Sequence, residues 1–273
     1  MPLRSRSLPL EGSDTAAGGP TLKIQERFVS VQGEGALVGT PSTFLRTSGC
    51  NLRCAWCDTP LSSWQAQGER AALSALVEYC AGGPRHVVVT GGEPLLFSSI
   101  RPLIDTLRHR DHHVTIETAG TVRIQDLRCD LMSISPKLAH STPATRDPAW
   151  RERHEARRWA PDVVRHLIAD QIATGHEWQL KFVVRWQAPE LLALDIAEID
   201  AMLAELDPPS GHGALRGALH ERDARARIFL MPETTQQDEL PQAYAQLAPV
   251  LVERGFRLGE RLHIAIFGHT PGT

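Results

Sequence analysis

The chain has 273 residues, of which 22% are charged and 42% hydrophobic, and its formal net charge is −3. This length allows one large domain or two small ones, and the charge gives no global reason to expect nucleic acid as a partner. No run of about 18 apolar residues predicts a membrane span, and the N-terminus lacks the apolar core of a secretory signal. Five cysteines, an odd number, are typical of a reducing compartment, so we expect a cytoplasmic protein.

Residues 1–20 are predicted to form a disordered extension, because they are rich in Ser, Gly, Pro and Thr and have little apolar surface to bury. A single domain is expected over residues 21–273. Apolar runs within it predict strands at 42–47, 86–90, 113–118, 131–135, 180–185, 227–231 and 262–267. Apolar residues at helical spacing predict helices at 71–81, 100–108, 190–206 and 240–254.

Two segments interrupt this pattern and are expected to be irregular insertions. Residues 139–177 include an Arg-rich stretch, in which the interleaved Glu152 and Glu155 favour a solvated helix over a nucleic-acid-binding patch. Residues 208–225 contain Gly and Pro and are predicted to form a surface loop. The alternation of strands and helices elsewhere predicts an α/β fold, a partial or modified (β/α) barrel with a parallel sheet. The chemistry of such folds lies on the loops that follow the strands.

Three of the five cysteines are clustered, as Cys50, Cys54 and Cys57. A C-x3-C-x2-C loop can bring three thiolates to one iron–sulfur cube, whose fourth iron is then open to a small molecule. The alternative is a structural or redox-sensing metal protein without catalysis, with zinc held by these residues and by Cys80 or Cys129. Both of those cysteines lie in apolar sequence and are predicted to be small buried residues, and no second C-x2-C pair is present. The iron–sulfur interpretation is therefore favoured.

Further polar residues lie at the ends of predicted strands. Thr-Gly-Gly-Glu-Pro at 90–94 contains Gly92, and the absence of a Cβ lets the backbone approach a ligand, although an ordinary strand–turn–helix connection would look the same. Glu117 ends the next strand, where a ligand role is favoured over a capping role. Residues 135–137 supply a hydroxyl, a fixed turn and a cation. Gln179, Lys181 and Phe182 open the following strand and are further candidates for contact with a cofactor.

Short motifs around the cysteine loop are more specific. They are Gln-Gly-Glu-Gly at 32–35, Gly-Thr-Pro at 39–41, Phe-Leu-Arg at 44–46, a tryptophan before the third cysteine, and Cys-Asp-Thr at 57–59. Together with Thr-Gly-Gly-Glu-Pro, Glu-Thr-Ala-Gly-Thr and Ser-Pro-Lys, they resemble the 7-carboxy-7-deazaguanine synthase family of the radical S-adenosylmethionine superfamily. The resemblance is close over residues 22–137 and resumes at 179–184, 230–233 and 262–273.

The resemblance implies a radical-mediated ring contraction of 6-carboxy-5,6,7,8-tetrahydropterin to 7-carboxy-7-deazaguanine with release of ammonia, in queuosine and deazapurine biosynthesis. It implies a [4Fe–4S] cluster, S-adenosylmethionine and Mg²⁺ as cofactors. It also implies a one-electron donor such as flavodoxin or ferredoxin and a homodimer, with no nucleic-acid or membrane partner. The alternative within the superfamily is a glycyl-radical activating enzyme, which has the same cysteine loop but acts on a protein backbone.

Specific positions receive roles from this resemblance, residue by residue. Cys50, Cys54 and Cys57 hold the cluster, and Thr59 is the Mg²⁺ ligand. The residues implied to contact S-adenosylmethionine are Trp56, Cys57, Asp58, Gly92, Glu117, Ser135, Pro136, Lys137, Gln179, Leu180, Lys181 and Phe182. The residues implied to bind substrate are Val31, Gln32 and Gly33 through the backbone, Arg46, Thr90 and, through a C-terminal carboxylate, Thr273. No side chain is implied to be catalytic, because the cofactor generates the radical.

Overall fold

One mixed β-sheet organises the part of the chain that the computed structural model describes, which is residues 19–144, 148–206 and 222–273. Its strands are β1 Thr21–Val31, β2 Pro41–Thr47, β3 Glu69–Ala72, β4 His86–Gly91, β5 His113–Thr118, β6 Leu131–Ile134, β7 Glu177–Val184, β8 Ile228–Pro232 and β9 Arg257–Leu258. They are arranged in the order β3-β1-β2-β4-β5-β6-β7-β8-β9, with β3 and β9 at open edges. The sheet is therefore not closed, and the prediction of a partial barrel is confirmed.

The strands that carry the site run in one direction. Neighbouring strands from β2 through β4 to β9 are parallel, whereas β1 pairs antiparallel with both β2 and β3. Because parallel strands end at the same edge of a sheet, the loops after β2, β4, β5, β6, β7 and β8 all meet there. This edge receives the motifs singled out in the sequence.

The helices are α1 Leu73–Ala81, α2 Ile100–His109, α3 Pro148–Glu155, α4 Pro161–Thr174, α5 Pro189–Leu206, α6 Arg222–Arg225, α7 Leu240–Arg254 and α8 Leu262–Phe267. Predicted helices at 100–108, 190–206 and 240–254 are confirmed, and the one predicted at 71–81 begins at Leu73. The predicted apolar stripes are buried, for example Leu103, Ile104 and Leu107 of α2. Among the described residues, no helix is long and apolar enough to cross a membrane.

The two faces of the sheet differ in chemistry. Alternate strand residues such as Leu45, Ile116 and Phe182 pack with helix residues into the main hydrophobic core. The residues between them point to the other face, because side chains alternate along a strand. There Phe28 and Phe44 stack with ring centroids 4.8 Å apart, and polar side chains lie beyond them toward the carboxyl ends of the strands. We call this second surface the polar face.

The strand predicted at 262–267 is wrong, since these residues form α8. The run Leu-His-Ile-Ala-Ile-Phe is apolar and rich in isoleucine, but a six-residue apolar run does not distinguish a strand from a short helix. Only Ile264 is buried within it, and α8 ends at Gly268, whose φ of +68° suits glycine. The last strand of the sheet is instead β9, which has only two residues.

The prediction that residues 139–177 are irregular is also wrong, because they contain α3, α4 and the first residue of β7. The Arg-rich part is an exposed helix as predicted, namely α3. Helix α4 begins at Pro161, buries Val164, Leu167 and Ile168 at helical spacing, and ends at Gly175 in the left-handed conformation. These start and stop signals were present in the sequence.

Strands β1 and β3 were not predicted. Strand β1 is amphipathic rather than continuously apolar, with Leu22 and Ile24 buried between more exposed neighbours. Strand β3 is a four-residue edge strand without a clear pattern. The extension predicted at 1–20 lies outside the described residues except for Gly19 and Pro20, as does the loop predicted at 208–225 up to residue 221.

Candidate active site

The three clustered cysteines lie on the loop that leaves β2 at the carboxyl edge of the sheet. Cys54 is buried and Cys50 and Cys57 are half-buried, and they pack with Leu52 and Ala119 in a small cluster separate from the main core. The amide of Leu52 donates a hydrogen bond to Cys50 Sγ at 3.4 Å. Cys57 Sγ lies 3.0 Å from Ser63 Oγ. The three cysteines thus pack in one small cluster, and the amide of Leu52 supplies a polar hydrogen to Cys50 Sγ.

Gly92 explains how the end of β4 fits against the cysteine loop. A Cβ at this position would lie 2.4 Å from the carbonyl oxygen of Gly49 and 2.7 Å from Cys50 Cβ. Those distances are too short for any side chain, so only glycine allows the two loops to touch. The Gly-Gly segment was expected to allow close approach of a ligand, and the structure shows that it also allows close approach of the cysteine loop.

Burial makes the free thiols reluctant to ionise. It raises the pKa of Cys50 to about 11 and that of Cys54 to about 12. A bound iron ion would supply the positive charge that stabilises thiolates here. Each cysteine of a cubane binds a different iron, whereas a zinc ion needs all its ligands at about 2.3 Å or less from one centre. Among the described residues, no three His, Cys, Asp or Glu side chains gather closely enough to hold a single ion. Thiols are the ligands that iron–sulfur clusters use, so the residues of this loop fit the cluster that their spacing predicts.

The two remaining cysteines do not belong to this loop. Cys80 lies on α1 and Cys129 precedes β6, and both are fully buried in the main hydrophobic core. The prediction that they are small buried residues is confirmed. Gln171 Nε2 lies 3.5 Å from Cys129 Sγ as a donor, which is a contact within the core.

Glu93 has a structural role in the loop after β4. Its side chain is fully buried and accepts hydrogen bonds from Thr118 Oγ1 at 2.8 Å and from the amides of Ala119 and Leu95 at 2.8 and 3.0 Å. Burial raises the pKa of this carboxyl, and the amide donors act in the opposite direction. Glu93 thus ties the end of β4 to the end of β5.

Strands β5, β6 and β7 contribute a connected polar group to the polar face. Lys181 Nζ lies 2.6 Å from Glu117 Oε2 and 2.9 Å from Glu34 Oε2. Ser133 Oγ donates to Glu117 Oε2 at 2.8 Å and accepts from Gln179 Nε2 at 2.8 Å. The predicted site residues Glu117, Gln179 and Lys181 are therefore brought together.

The Gln-Gly-Glu-Gly motif joins this group. Gln32 Nε2 donates to Glu117 Oε1 at 3.3 Å, and Gln179 Oε1 accepts from the amide of Ala36 at 2.8 Å. Gly35 has a φ of +72°, and a Cβ there would lie 2.3 Å from Gln179 Nε2. Glycine at position 35 therefore allows the motif to pack against the Gln179 side chain of β7.

Arg261 connects the motif to the cysteine loop and was not predicted. Its guanidinium is 5% exposed, and it pairs with Asp58 and lies 3.8 Å from Glu34 Oε1. It also donates to the carbonyl of Thr234 at 2.7 Å. Glu34, quoted in a motif but given no role in the sequence analysis, thus contacts both Lys181 and Arg261. Since Arg261 and Asp58 are 203 positions apart, no local pattern could have paired them.

These buried charges hold one another in the ionised form. Burial alone would raise the pKa of Glu34, but Lys181 and Arg261 hold it far below its usual range. Burial also opposes a charge on Lys181, yet Glu117 and Glu34 raise its pKa above the ordinary value. The Arg261 guanidinium lowers the pKa of Asp58 against the effect of burial. The site is therefore charged and preorganised at neutral pH.

The turn after β6 contacts the cysteine loop. Lys137 Nζ donates to Ser135 Oγ at 2.8 Å and lies 5.4 Å from the centroid of the Trp56 ring. Trp56 Nε1 donates to His140 Nδ1 at 3.1 Å. The Ser-Pro-Lys segment, including Pro136, is thus brought to the cysteine loop.

Arg46 and Thr90 are neighbours on the polar face, at paired positions of β2 and β4. Arg46 Nε donates to Glu26 Oε1 at 2.6 Å, so part of the guanidinium is already engaged. Thr59 Oγ1 lies 3.9 Å from Cys57 Sγ, which places the predicted Mg²⁺ ligand beside the cysteine loop.

Some predicted site residues are placed differently. Leu180 and Phe182 are fully buried in the main core, on the opposite face from Lys181, so their side chains do not line the site. This is a consequence of strand alternation, which the inclusive range 179–182 ignored. The Thr273 hydroxyl donates to the carbonyl of Thr270 at 2.6 Å, and among the described residues no hydrogen bond or ion pair joins Thr273 to the site.

The backbone of the motif is partly used within the fold. The amide of Gln32 donates to the carbonyl of Thr40 at 2.8 Å, and the carbonyl of Gly33 accepts from the amide of Leu262 at 2.9 Å. Val31 closes the antiparallel pairing with Pro41. A ligand would thus meet carbonyl lone pairs here rather than a free Gln32 amide.

Helix α3 supports the cysteine loop from outside the sheet. The amide of Arg53 donates to His154 Nδ1 at 3.1 Å, and the Arg53 guanidinium lies 4.0 Å from the centroid of the Trp150 ring. Nδ1 is thus an acceptor, so Nε2 carries the proton and donates to Ser141 Oγ at 2.9 Å. Ser141 in turn donates to the carbonyl of Leu138 at 2.6 Å.

Comparison with known proteins gives a consistent result. The family model of the radical SAM superfamily matches residues 44–181. The chain is 41% identical to the 7-carboxy-7-deazaguanine synthase of Rhodopirellula baltica, covering 97% of this chain and 96% of that protein. It is 40% identical to the protein of the same name from Halobacterium salinarum, over 93% and 94% of the two chains. The crystal structure of QueE from Escherichia coli superposes with a TM-score of 0.56 at 24% identity, covering 89% of this chain and 95% of that one, which supports the fold.

Proposed function

Because this chain belongs to the 7-carboxy-7-deazaguanine synthase family of radical SAM enzymes, we propose that it contracts the ring of 6-carboxy-5,6,7,8-tetrahydropterin with loss of ammonia. The observation that carries the proposal is the continuous charged network from the Gln-Gly-Glu-Gly motif to the cysteine loop. Glu34 reaches Lys181 on one side, and Arg261 links it to Asp58, the residue after the third cysteine, on the other. This network supports a cofactor site and a substrate site at the same carboxyl edge of the sheet.

The radical SAM family uses an iron–sulfur cluster and S-adenosylmethionine, and the residues present suit both. Cys50, Cys54 and Cys57 would hold the cluster. When bound, the cluster and S-adenosylmethionine supply the radical that removes a hydrogen atom from the substrate. Gly92 keeps the end of β4 against the cysteine loop, so the cofactor would lie between these loops and the Ser135–Lys137 turn.

The chain's own task is to bind, orient and shield a planar, charged substrate. We propose that the free nitrogens of Arg46 pair with the substrate carboxylate, with Thr90 beside it, since a guanidinium matches a carboxylate in fork geometry. The carboxylates of Glu34 and Glu117 are acceptors for the adjacent N–H groups of the pterin edge. Lys181 contacts both carboxylates and, together with Arg261, holds the pKa of Glu34 below its usual range, so Glu34 accepts hydrogen bonds in its ionised form.

Mg²⁺ at Thr59 is part of the proposal. A single hydroxyl with substrate oxygens and water is a suitable environment for this ion, which retains several waters when bound. Thr59 lies at the start of the turn Pro60–Ser62, and its carbonyl accepts from Ser62 Oγ at 2.8 Å, which fixes the backbone beside the chamber.

The proposal also includes the assembly and the reductant. A groove of about 400 Å³ between α5 and α7 lies beside the exposed side chains of Leu194 and Val252, and it suits the interface of a homodimer. Light scattering of the purified protein would test this. A one-electron donor is required because the cofactor must be reduced before each radical is formed.

The test is anaerobic reconstitution with iron and sulfide, followed by dithionite, S-adenosylmethionine, Mg²⁺ and the carboxypterin. We expect 7-carboxy-7-deazaguanine by mass spectrometry and one ammonia per product. A parallel reaction with chelator in place of Mg²⁺ should be slower, and the Thr59→Ala variant should respond less to the ion. A cluster-containing enzyme that cleaves S-adenosylmethionine but leaves the pterin intact would refute the proposed substrate.

A further inference from the structure

We propose that Arg261 is a positioning residue for the substrate, because it is the shared counterion that holds the acids Glu34 and Asp58 beside one guanidinium. This inference rests on the proposed function, which gives Glu34 the task of accepting N–H groups from the pterin edge. It goes beyond that function because Arg261 acts on the substrate through Glu34 and does not touch it. Asp58 follows the third cysteine, so the same guanidinium ties the substrate acid to the cysteine loop.

The three nitrogens of the Arg261 guanidinium have different neighbours. Nη2 pairs with Asp58 Oδ2, and Nη1 donates to the carbonyl of Thr234 at 2.7 Å. Nε lies 3.8 Å from Glu34 Oε1, which is too long for a hydrogen bond, and among the described residues it has no hydrogen-bond partner. The group is therefore anchored at Asp58 and Thr234, and it acts on Glu34 by its charge.

Glu34 and Asp58 repel each other in this buried site. Burial raises the pKa of Asp58, Arg261 lowers it, and the neighbouring charge of Glu34 raises it. Among the described residues, Glu34, Asp58 and Glu117 form ion pairs only with Lys181 and Arg261. Without Arg261, three carboxylates would share one lysine, and like charges that lack a counterion are costly to bury.

The backbone around Arg261 is fixed by contacts that do not involve its guanidinium. The amide of Leu262 donates to the carbonyl of Gly33 at 2.9 Å. His269 Nε2 lies 3.1 Å from the carbonyl oxygen of Asp58. The segment after β9 therefore contacts both the Gln-Gly-Glu-Gly motif and the cysteine loop through other groups. A substitution of the Arg261 side chain thus removes a charge and leaves these contacts in place.

The charge of Arg261 matters for the substrate because of the oxygen that it faces. Glu34 Oε2 accepts from Lys181 at 2.9 Å, and the Glu34 side chain keeps 19% of its exposure, so Oε1 is the oxygen that a ligand can use. Arg261 attracts this oxygen and Asp58 repels it. Loss of Arg261 should therefore displace Glu34 Oε1 from its place, and the charge of Asp58 should be the cause of that displacement.

The test measures binding of 6-carboxypterin to the full-length reconstituted enzyme, with S-adenosylmethionine and Mg²⁺ present and no reductant. This aromatic probe has the edge and the carboxylate of the proposed substrate, but its carboxylate-bearing carbon has no hydrogen to lose. Arg261→Gln should raise the Kd in equilibrium dialysis by roughly tenfold or more, since it leaves buried charges without their partner. Arg261→Lys keeps a cation beside Glu34 and should retain more affinity than Arg261→Gln.

A second substitution distinguishes the role of a shared counterion from a merely structural one. The double variant Arg261→Gln/Asp58→Asn removes the repelling acid together with the arginine, so its Kd should lie within about threefold of that of Asp58→Asn alone. A structural arginine would instead cost the same factor in both backgrounds. The double variant decides the matter even where Arg261→Gln fails to hold its cluster, because it buries no unpaired Asp58.

The matched control is a similar ion pair far from the site. Arg108 pairs with Asp130 at 3.2 Å, with both side chains 24% exposed, beside the amino end of β6. Arg108→Gln should lower the thermal unfolding temperature and leave the Kd for 6-carboxypterin unchanged.

The outcomes separate this inference from the proposed function. A Kd in Arg261→Gln equal to that of the unmodified enzyme overturns the inference, and so does a double variant that binds tenfold more weakly than Asp58→Asn. An unmodified, cluster-containing enzyme that neither binds 6-carboxypterin nor converts the reduced carboxypterin would count against the proposed function instead.

Discussion

His154 offers a direct way to test how the cysteine loop is held. Its buried ring accepts the amide of Arg53 at Nδ1 and donates to Ser141 at Nε2, so each nitrogen has a different task. In the His154→Asn variant the amide oxygen lies near the position of Nδ1 and can still accept from Arg53. In His154→Gln the amide lies near the position of Nε2, so it can reach Ser141 but leaves the Arg53 amide without a partner.

The magnitude follows from the lost hydrogen bonds. An unsatisfied buried amide costs roughly 1–3 kcal/mol. Both substitutions remove part of a ring from a filled site, so both should lower the thermal unfolding temperature by a similar amount. The loss at the cysteine loop, however, is expected only in His154→Gln. We therefore expect this variant to hold less iron after reconstitution and to lose its cluster faster, whereas His154→Asn stays close to the unmodified protein.

The buried ring of His154 should also make the free energy of unfolding depend on pH. Burial lowers the pKa of His154 to about 4, compared with an unfolded value near 6.5. The folded state thus binds this proton less readily than the unfolded state, so the stabilisation is complete above about pH 6.5 and falls as the pH decreases toward 4. For this one group the loss is about 2 kcal/mol between pH 7.5 and pH 5.

Urea unfolding of the cluster-free chain at both pH values would measure this change. The free energy of unfolding should change less with pH in His154→Gln than in the unmodified protein. Some pH dependence should remain in both proteins, because burial also lowers the pKa of His86 to about 4. Equal pH slopes in the two proteins, or equal iron content in the Asn and Gln variants, would refute the reasoning.

Further substitutions test the ligand set and the charged chamber. Cys54→Ala should abolish iron binding, while Cys80→Ala should keep full iron content with about 1 kcal/mol lost to the cavity; loss of iron from a folded Cys80→Ala protein would contradict the assignment. Arg46→Ala should weaken carboxypterin binding by roughly 2–5 kcal/mol and Arg46→Lys should also be impaired, yet both should keep uncoupled cleavage of S-adenosylmethionine; wild-type affinity would exclude Arg46 from the substrate site. Lys181→Met removes a cation that holds the pKa of Glu34 below its usual range, so the acidic limb of the pH–rate profile should move to higher pH; an unmoved limb would show that Glu34 does not govern activity.

The parts of the fold that could be predicted are those whose signals are local. Helix α7 follows from an apolar stripe over 240–254, and the cysteine loop follows from the spacing of Cys50, Cys54 and Cys57. A metal ligand needs a particular atom type at a particular spacing, and few other arrangements would serve. The burial of Cys80 was also predicted from a local signal, namely its position among the apolar residues of α1.

The charged network could not be predicted because its members are brought together only by the finished sheet. Arg261 lies directly before the segment 262–267 that was predicted to be a strand, and nothing near it in sequence indicates a partner. Its contact with Asp58 depends on the return of the chain after β9 to the carboxyl edge. The Glu34–Lys181 pair spans 147 positions in the same way. Propensity and periodicity carry no information about such contacts.

Residues 139–177 show a different kind of failure, one of interpretation. Their helical signals were readable, but the segment has no counterpart among the motifs that carry chemistry, and it was set aside as irregular. In the folded chain it supplies His140 to Trp56, the carbonyl of Ser141 to the amide of Ala55, and His154 to the amide of Arg53. The ligand positions of a cofactor loop are constrained by the chemistry of the metal, so they can be identified in sequence. The groups that hold the same loop need only donate or accept a hydrogen bond in the right place, which many residue types can do. For that reason a motif search finds what binds the cofactor and misses what positions it, and only the packing of α3 shows why this segment matters.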